Sequence, residues 1–144
     1  MATGSTARGI EIQDTTYNNL IYNNNITTTN SNSRGIYLTN SVRNNTIYDN
    51  NITTTNNAGS YGIYLENNVN NNTFFRNRIS SLAAGINING SGQNINQRTA
   101  FNTFTNDTIV RCSTGCASNY RDIILTNNAT DITFLNVSFN KSRV

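Results

Sequence analysis

With no histidine among its 144 residues, the chain offers seven carboxylates, two cysteines and seven tyrosines as its first candidates for acid–base and nucleophilic chemistry. Histidine is the commonest general base and the commonest zinc and copper ligand. Its absence excludes Ser/His/Asp catalysis and leaves a cysteine nucleophile poorly activated. The acids are Glu11, Asp14, Asp49, Glu66, Asp107, Asp122 and Asp131. Glycoside hydrolysis needs two carboxylates about 5–9.5 Å apart. Calcium-assisted cleavage needs clustered Asp and an Arg or Lys base. No two of the acids fall at equivalent positions of the repeat described below. Asp49 falls opposite Arg76, the arrangement of a surface ion pair worth at most about 1 kcal/mol. The expectation is no catalytic residue, no metal site and no cofactor, and the reading leans away from an enzyme.

Cys112 and Cys116 are the only cysteines. A bond between them closes a short loop worth roughly 2 kcal/mol. Two free thiols and half of a metal site are the alternatives, and the reading favours the disulfide, which places the chain outside the cytosol. No signal peptide is visible in Met1–Ala7. Ten basic residues against seven acidic ones leave a net charge of +3. The basic residues are scattered, with Lys141 the single lysine, so no nucleic-acid partner is expected. No apolar run approaches the length of about 18 that a membrane span needs, so no membrane insertion is expected. Nine Asn-x-Ser/Thr sequons, at Asn25, Asn44, Asn51, Asn71, Asn89, Asn106, Asn128, Asn136 and Asn140, permit glycosylation.

The chain holds 31 Asn and 21 Thr. Asn competes with the helical backbone for hydrogen bonds, which argues against a helical bundle. Periodicity argues against disorder. Arg34-Gly35-Ile36-Tyr37-Leu38 recurs as Tyr61-Gly62-Ile63-Tyr64-Leu65, with further copies starting at Arg8, Ala84 and Arg121. A second block follows each copy and closes on Ile26, Ile52, Ile79, Ile109 and Phe139, spaced by 26, 27, 30 and 30 residues. Such a period marks a solenoid. Within each copy apolar residues alternate at period two, giving about three short strands bounded by Asn, Gly and Ser.

The pattern Gly-Ile-Tyr-Leu-x-Asn-Ser-x-x-Asn-Asn-Thr-Ile-x-x-Asn-x-Ile at residues 35–52 resembles the right-handed parallel β-helix repeat. That superfamily includes pectate-lyase-like enzymes, phage tailspikes, archaeal surface proteins and NosD-like periplasmic proteins, and the wording is closest to the last two. The resemblance covers residues 8–140. It implies an all-β, right-handed parallel β-helix solenoid of about five coils with three short strands each. Residues 1–7 are then a disordered or short lead, 8–140 one domain and 141–144 a tail. NosD-like copper handling implies His or Met ligands, whereas Met1 is the only methionine.

Aligning the coils stacks side chains at about 4.8 Å per rung. Four apolar columns form the expected core: Ile10/Ile36/Ile63/Ile86/Ile123, Ile12/Leu38/Leu65/Ile88/Leu125, Ile21/Ile47/Phe74/Phe104/Phe134, and the closing residues above. Two polar columns, Asn19/Asn45/Asn72/Asn102 and Asn24/Asn50/Asn77/Asp107, predict asparagine ladders, since buried amides must pair. In the last coil both columns become apolar, at Ile132 and Val137. Gly9, Gly35, Gly62 and Gly85 are expected at corners of positive φ. Insertions near 90–99 and 110–120 are expected to project as loops.

Two outward aromatic columns remain, Tyr22/Tyr48/Phe75 and Tyr37/Tyr64. They serve packing, or they form a platform for sugar rings or a protein chain. The leading expectation is a non-enzymatic extracellular structural or adhesive module. It assembles end to end or side to side with itself, or joins flanking domains of a larger protein. The alternative is a carbohydrate-binding or carbohydrate-cleaving β-helix.

Overall fold

The period-two segments pair rung on rung, in parallel and in the register the apolar columns require. The computed structural model describes residues 6–56, 59–90, 98–110, 116, 118 and 120–139. The first coil holds β1 (Arg8–Gln13), β2 (Leu20–Tyr22) and β3 (Asn25–Thr28). The second holds β4 (Arg34–Thr39), β5 (Thr46–Tyr48) and β6 (Asn51–Thr54). The third holds β7 (Tyr61–Glu66), β8 (Thr73–Phe75) and β9 (Arg78–Ser81). The fourth holds β10 (Ala84–Gly90), β11 (Thr99–Ala100), β12 (Thr103–Thr105) and β13 (Thr108–Val110). The last holds β14 (Arg121–Asn127), β15 (Ala129–Thr130), β16 (Thr133–Leu135) and β17 (Ser138–Phe139).

Three parallel sheets of five strands result, in the orders β1-β4-β7-β10-β14, β2-β5-β8-β12-β16 and β3-β6-β9-β13-β17. Five strands joined by four steps make about four turns, slightly short of the five coils counted along the sequence. Ile36 pairs with Ile63, and Ile63 with Ile86. All three are fully buried, as are Leu38, Leu65, Ile88, Ile47, Ile52, Ile79 and Ile109. Phe74 and Phe104 lie within the same column and stack at 4.5 Å between ring centroids. Each such side chain contributes about 2 kcal/mol by leaving water. A short parallel pair, β11 with β15, and single bridges linking Tyr17, Arg43, Asn70 and Ala100 add a fourth side. That side buries Val42 and Val69 completely, two core residues the repeat alignment does not single out.

The repeated glycines are not at positive φ. Among the described glycines only Gly59 is, at 63°. A Cβ on Gly35 would lie 2.2 Å from Ile52 Cγ2 and 2.6 Å from Gly62 O, and one on Gly62 would lie 2.2 Å from Ile79 Cγ2. Glycine is required because the corner brings the third strand against the first, which is a matter of space and not of dihedral angle. The left-handed corners belong to other residues. The residue before each ladder position has φ between 51° and 60°: Asn18, Asn44, Asn71, Phe101 and Asp131 in one column, Asn23, Asp49, Arg76, Asn106 and Asn136 in the other. Asn and Asp tolerate that conformation better than other side-chain-bearing residues. Much of the asparagine content therefore serves to turn the chain.

Candidate functional site

Two asparagine ladders run along the axis, and each is directional. The main-chain N–H and the Nδ2 of Asn45 both donate to Asn72 Oδ1 at 3.0 Å. Asn19 does the same to Asn45, and Asn72 to Asn102. In the second ladder Asn24 donates to Asn50, Asn50 to Asn77, and Asn77 to Asp107. Every donor lies nearer the N-terminal end than its acceptor. A third polar corner is made of hydroxyls, with Thr54 Oγ1 donating to Ser81 Oγ at 2.8 Å and Ser33 N–H to Ser60 Oγ at 3.3 Å. Its sequence signal was the hydroxyl pair after three of the closing isoleucines, Thr27-Thr28, Thr53-Thr54 and Ser80-Ser81.

The two aromatic columns differ. Tyr22, Tyr48 and Phe75 stack on the outside of the second sheet at 5.0 and 4.8 Å, with interplanar angles of 5° and 2°. Their faces cover one another, and the Arg76 guanidinium covers Phe75 at 4.7 Å. The column therefore presents ring edges to solvent. Tyr37 and Tyr64 also stack, at 5.5 Å, but they are only 5% and 7% exposed. Arg8 and Arg34 lie over the Tyr37 ring, and Arg34 also over Tyr64. Both hydroxyls bond Glu66. Burial, then the Glu66 hydrogen bond, pushes the Tyr64 phenol up to about 12 and Tyr37 in the same direction. Of the two readings of Tyr37 and Tyr64, packing or a platform, this covered cluster is the packing one. The signal for the cover was Arg8 and Arg34 standing at the same register position three residues before the tyrosine column.

The acids meet separate partners: Glu11 bonds Arg8, Asp14 bonds Asn40, and Asp122 bonds Tyr120. Asp49 receives Arg76 Nε and Nη2, each at 2.7 Å, which holds its carboxyl below the usual range. The expected ion pair is present. Among the described residues no three His, Cys, Asp or Glu side chains cluster as a metal site.

Of the sequons, Asn25, Asn44, Asn51, Asn71, Asn106 and Asn136 are exposed, and Asn89 and Asn128 are half-buried. Asn140 lies outside the described residues, as does Cys112, and with it the expected Cys112–Cys116 pair. Most of the 90–99 and 110–120 insertions also lies outside them.

A family model described as periplasmic copper-binding protein (NosD) matches residues 1–81, more than half of the 144-residue chain. The chain belongs to the NosD family. No curated protein and no solved structure matches it. The NosD match and the parallel solenoid together make this chain a β-helix module of periplasmic or extracellular type. The family's description agrees with a place in the cell envelope or beyond it.

The copper in that description can be set against the donors this NosD-family chain carries. Copper is held by imidazole, thiolate and thioether. The chain has no histidine, one methionine at position 1 and two cysteines. The ladder interior offers amides and main-chain carbonyls already engaged with each other. This donor set does not fit copper, and no chemistry of the module is routed through it.

Proposed function

We propose that this chain is a structural or adhesive module that assembles by stacking coils end to end, the C-terminal coil of one copy on the N-terminal coil of the next. The observation that carries this reading is the direction of the ladders. At the N-terminal end Asn19 and Asn24 are exposed, and among the described residues no donor reaches either Oδ1. At the other end Ile132 and Val137 occupy the ladder positions, and their main-chain N–H groups have no acceptor among the described residues. The ladder rule sends a main-chain N–H to the Oδ1 of the following rung. Docking a second copy therefore brings Ile132 N–H to Asn19 Oδ1 and Val137 N–H to Asn24 Oδ1.

The apolar columns continue across the same joint. Ile123 falls on Ile10, Leu125 on Ile12, Phe134 on Ile21, Leu135 on Tyr22 and Phe139 on Ile26. Leu125, Leu135 and Phe139 are 50%, 54% and 40% exposed, and Leu20 and Tyr22 are 64% and 49% exposed at the other end. Open sheet edges with apolar side chains are the usual substrate of strand addition.

Sedimentation velocity and electron microscopy test the reading, comparing the parent with Leu125→Lys/Leu135→Lys, whose positions tolerate charge because they are exposed. Rods that lengthen with protein concentration are expected for the parent. Single copies with an unchanged far-ultraviolet circular dichroism spectrum are expected for the variant. A parent that stays a single copy at every concentration contradicts the proposal.

Glycan binding is the second reading, favoured by the outward Tyr22/Tyr48/Phe75 column, in which Tyr22 is exposed and Tyr48 and Phe75 are half-buried. It is the weaker one, because sugars stack on ring faces and these faces are spent on each other.

A further inference from the structure

The second ladder ends on an acid. Asp107 stands where Asn24, Asn50 and Asn77 stand in earlier coils, and it is fully buried at 0% exposure. Its Oδ1 behaves as theirs do, accepting Asn77 N–H at 2.7 Å and Asn77 Nδ2 at 2.9 Å. Its Oδ2 is buried with no hydrogen-bond partner. In the asparagines this second position is a nitrogen that donates to main-chain carbonyls. Asn50 Nδ2 reaches Ile21 O and Tyr48 O, each at 3.0 Å, and Asn77 Nδ2 reaches Ile47 O at 2.9 Å. In register, the equivalent carbonyls one rung on are those of Phe74 and Thr105. Oδ2 thus occupies the position from which a ladder amide donates. A carboxylate there has no proton to give, whereas a neutral acid has one.

We propose that Asp107 is a proton-locked rung: a neutral carboxyl group standing in for the ladder asparagine, its Oδ2–H given to the carbonyl of Phe74 or Thr105, so that the C-terminal coils tighten in acid and loosen when it ionises. Among the described residues no neighbouring charge offsets the ionised form. On its own coil Asp107 is flanked by Asn106 and Thr108. The preceding coil places Arg76 and Arg78 on either side of Asn77, both exposed, with Arg76 engaged by Asp49. The following coil brings Asn136, Val137 and Ser138, none of them titratable. Burial raises the Asp107 carboxyl to about 6, against the opposing pull of the Asn77 donors and the Thr105 main chain.

The sign follows from proton linkage. Between the unfolded carboxylate range and about pH 6 the folded chain keeps a proton that the unfolded chain has lost. Stability is full below the unfolded value, falls as pH rises to about 6, and is level above it.

The test is a 13C titration of the Asp107 carboxyl by NMR, with urea unfolding from about pH 4 to 8 of the parent, Asp107→Asn and Asp107→Leu. The carbon is expected to titrate near 6. The parent's folding equilibrium is expected to fall on the order of 100-fold between about pH 4 and 7. Asp107→Asn abolishes that fall. Asp107→Leu also abolishes it while weakening the fold at every pH, because Asn77 loses its acceptor. A carboxyl that titrates in the ordinary range, or either variant keeping the parental pH dependence, overturns the proposal.

Discussion

Asn72 sends both its main-chain N–H and its side-chain Nδ2 to a single oxygen, Oδ1 of Asn102, each at 3.0 Å. Its own Oδ1 accepts the same two groups from Asn45. One side chain therefore serves five polar groups: it accepts from the Asn45 N–H and Nδ2, and it donates to Asn102 Oδ1 and the carbonyls of Val42 and Asn70. Asn72→Ala takes the acceptor from the Asn45 main-chain N–H, removes the amide that serves the Val42 and Asn70 carbonyls, and leaves Asn102 Oδ1 with the main-chain N–H alone, all in a dry interior. The expected cost is about 3 kcal/mol or more, read as a drop in the urea midpoint at unchanged slope. Asn51→Ala, at an exposed position whose side chain bonds Asn25, is the control and should move stability by less than about 0.5 kcal/mol.

The glycine column is a question of space. Gly62→Ala puts a methyl 2.2 Å from Ile79 Cγ2 and 2.7 Å from Gly85 O. The chain must shift where three strands meet, at a cost of about 2–3 kcal/mol. Adding Ile79→Val removes a methyl from the crowded side chain, and the double variant should recover part of the loss. Full additivity of the two losses would show that the contact is not the cause.

The Asp49–Arg76 pair lies on the surface, so its mark is a titration and not a large change in stability. The Arg76 hydrogen bonds hold Asp49 below the ordinary carboxylate range. Whatever the pair contributes is present above the unfolded carboxylate value and disappears as pH falls through the folded one. Arg76→Ala should return the Asp49 carboxyl carbon to an ordinary titration midpoint and leave the denaturation midpoint nearly unmoved. High salt should shift the parent's midpoint in the same direction.

The ring column supplies a test between packing and sugar recognition. Tyr48 is sandwiched between Tyr22 and Phe75. If the stack serves packing, Tyr48→Ala lowers stability by about 1–3 kcal/mol through lost stacking and burial, and a glycan array is blank for parent and variant alike. Array signal in the parent that vanishes in Tyr48→Ala and Phe75→Ala establishes the sugar reading.

Register, core and ladders were legible because a solenoid makes each side chain's neighbour its own repeat. Ile36, Ile63 and Ile86 sit above one another because the sequence aligns them and parallel pairing preserves the alignment. The ladder reading of Asn45 and Asn72 needed only the rule that buried amides pair. What escaped was geometry inside a single coil. Gly35 looked like a positive-φ corner, yet the left-handed residues are Asn44 and Asp49, and periodicity cannot tell a tight approach from a special dihedral angle. Tyr37 looked exposed because it points away from the axis. The reach of Arg8 and Arg34 along the outer face, together with the stacked Tyr64 ring, covers it. Val42 and Val69 went unnoticed because the side they line has single bridges in place of long strands.

The central claim is a dry axial column built by parallel, in-register coils. The most direct measurement is a set of inter-residue nuclear Overhauser contacts in protein with isoleucine methyls labelled, combined with amide hydrogen exchange at the same residues. Cross-rung contacts from Ile36 to Ile63 and from Ile63 to Ile86, with strongly protected amides at all three, are the predicted result. Absence of those contacts, or amides at these positions that exchange as fast as those of an unfolded chain, would contradict the account.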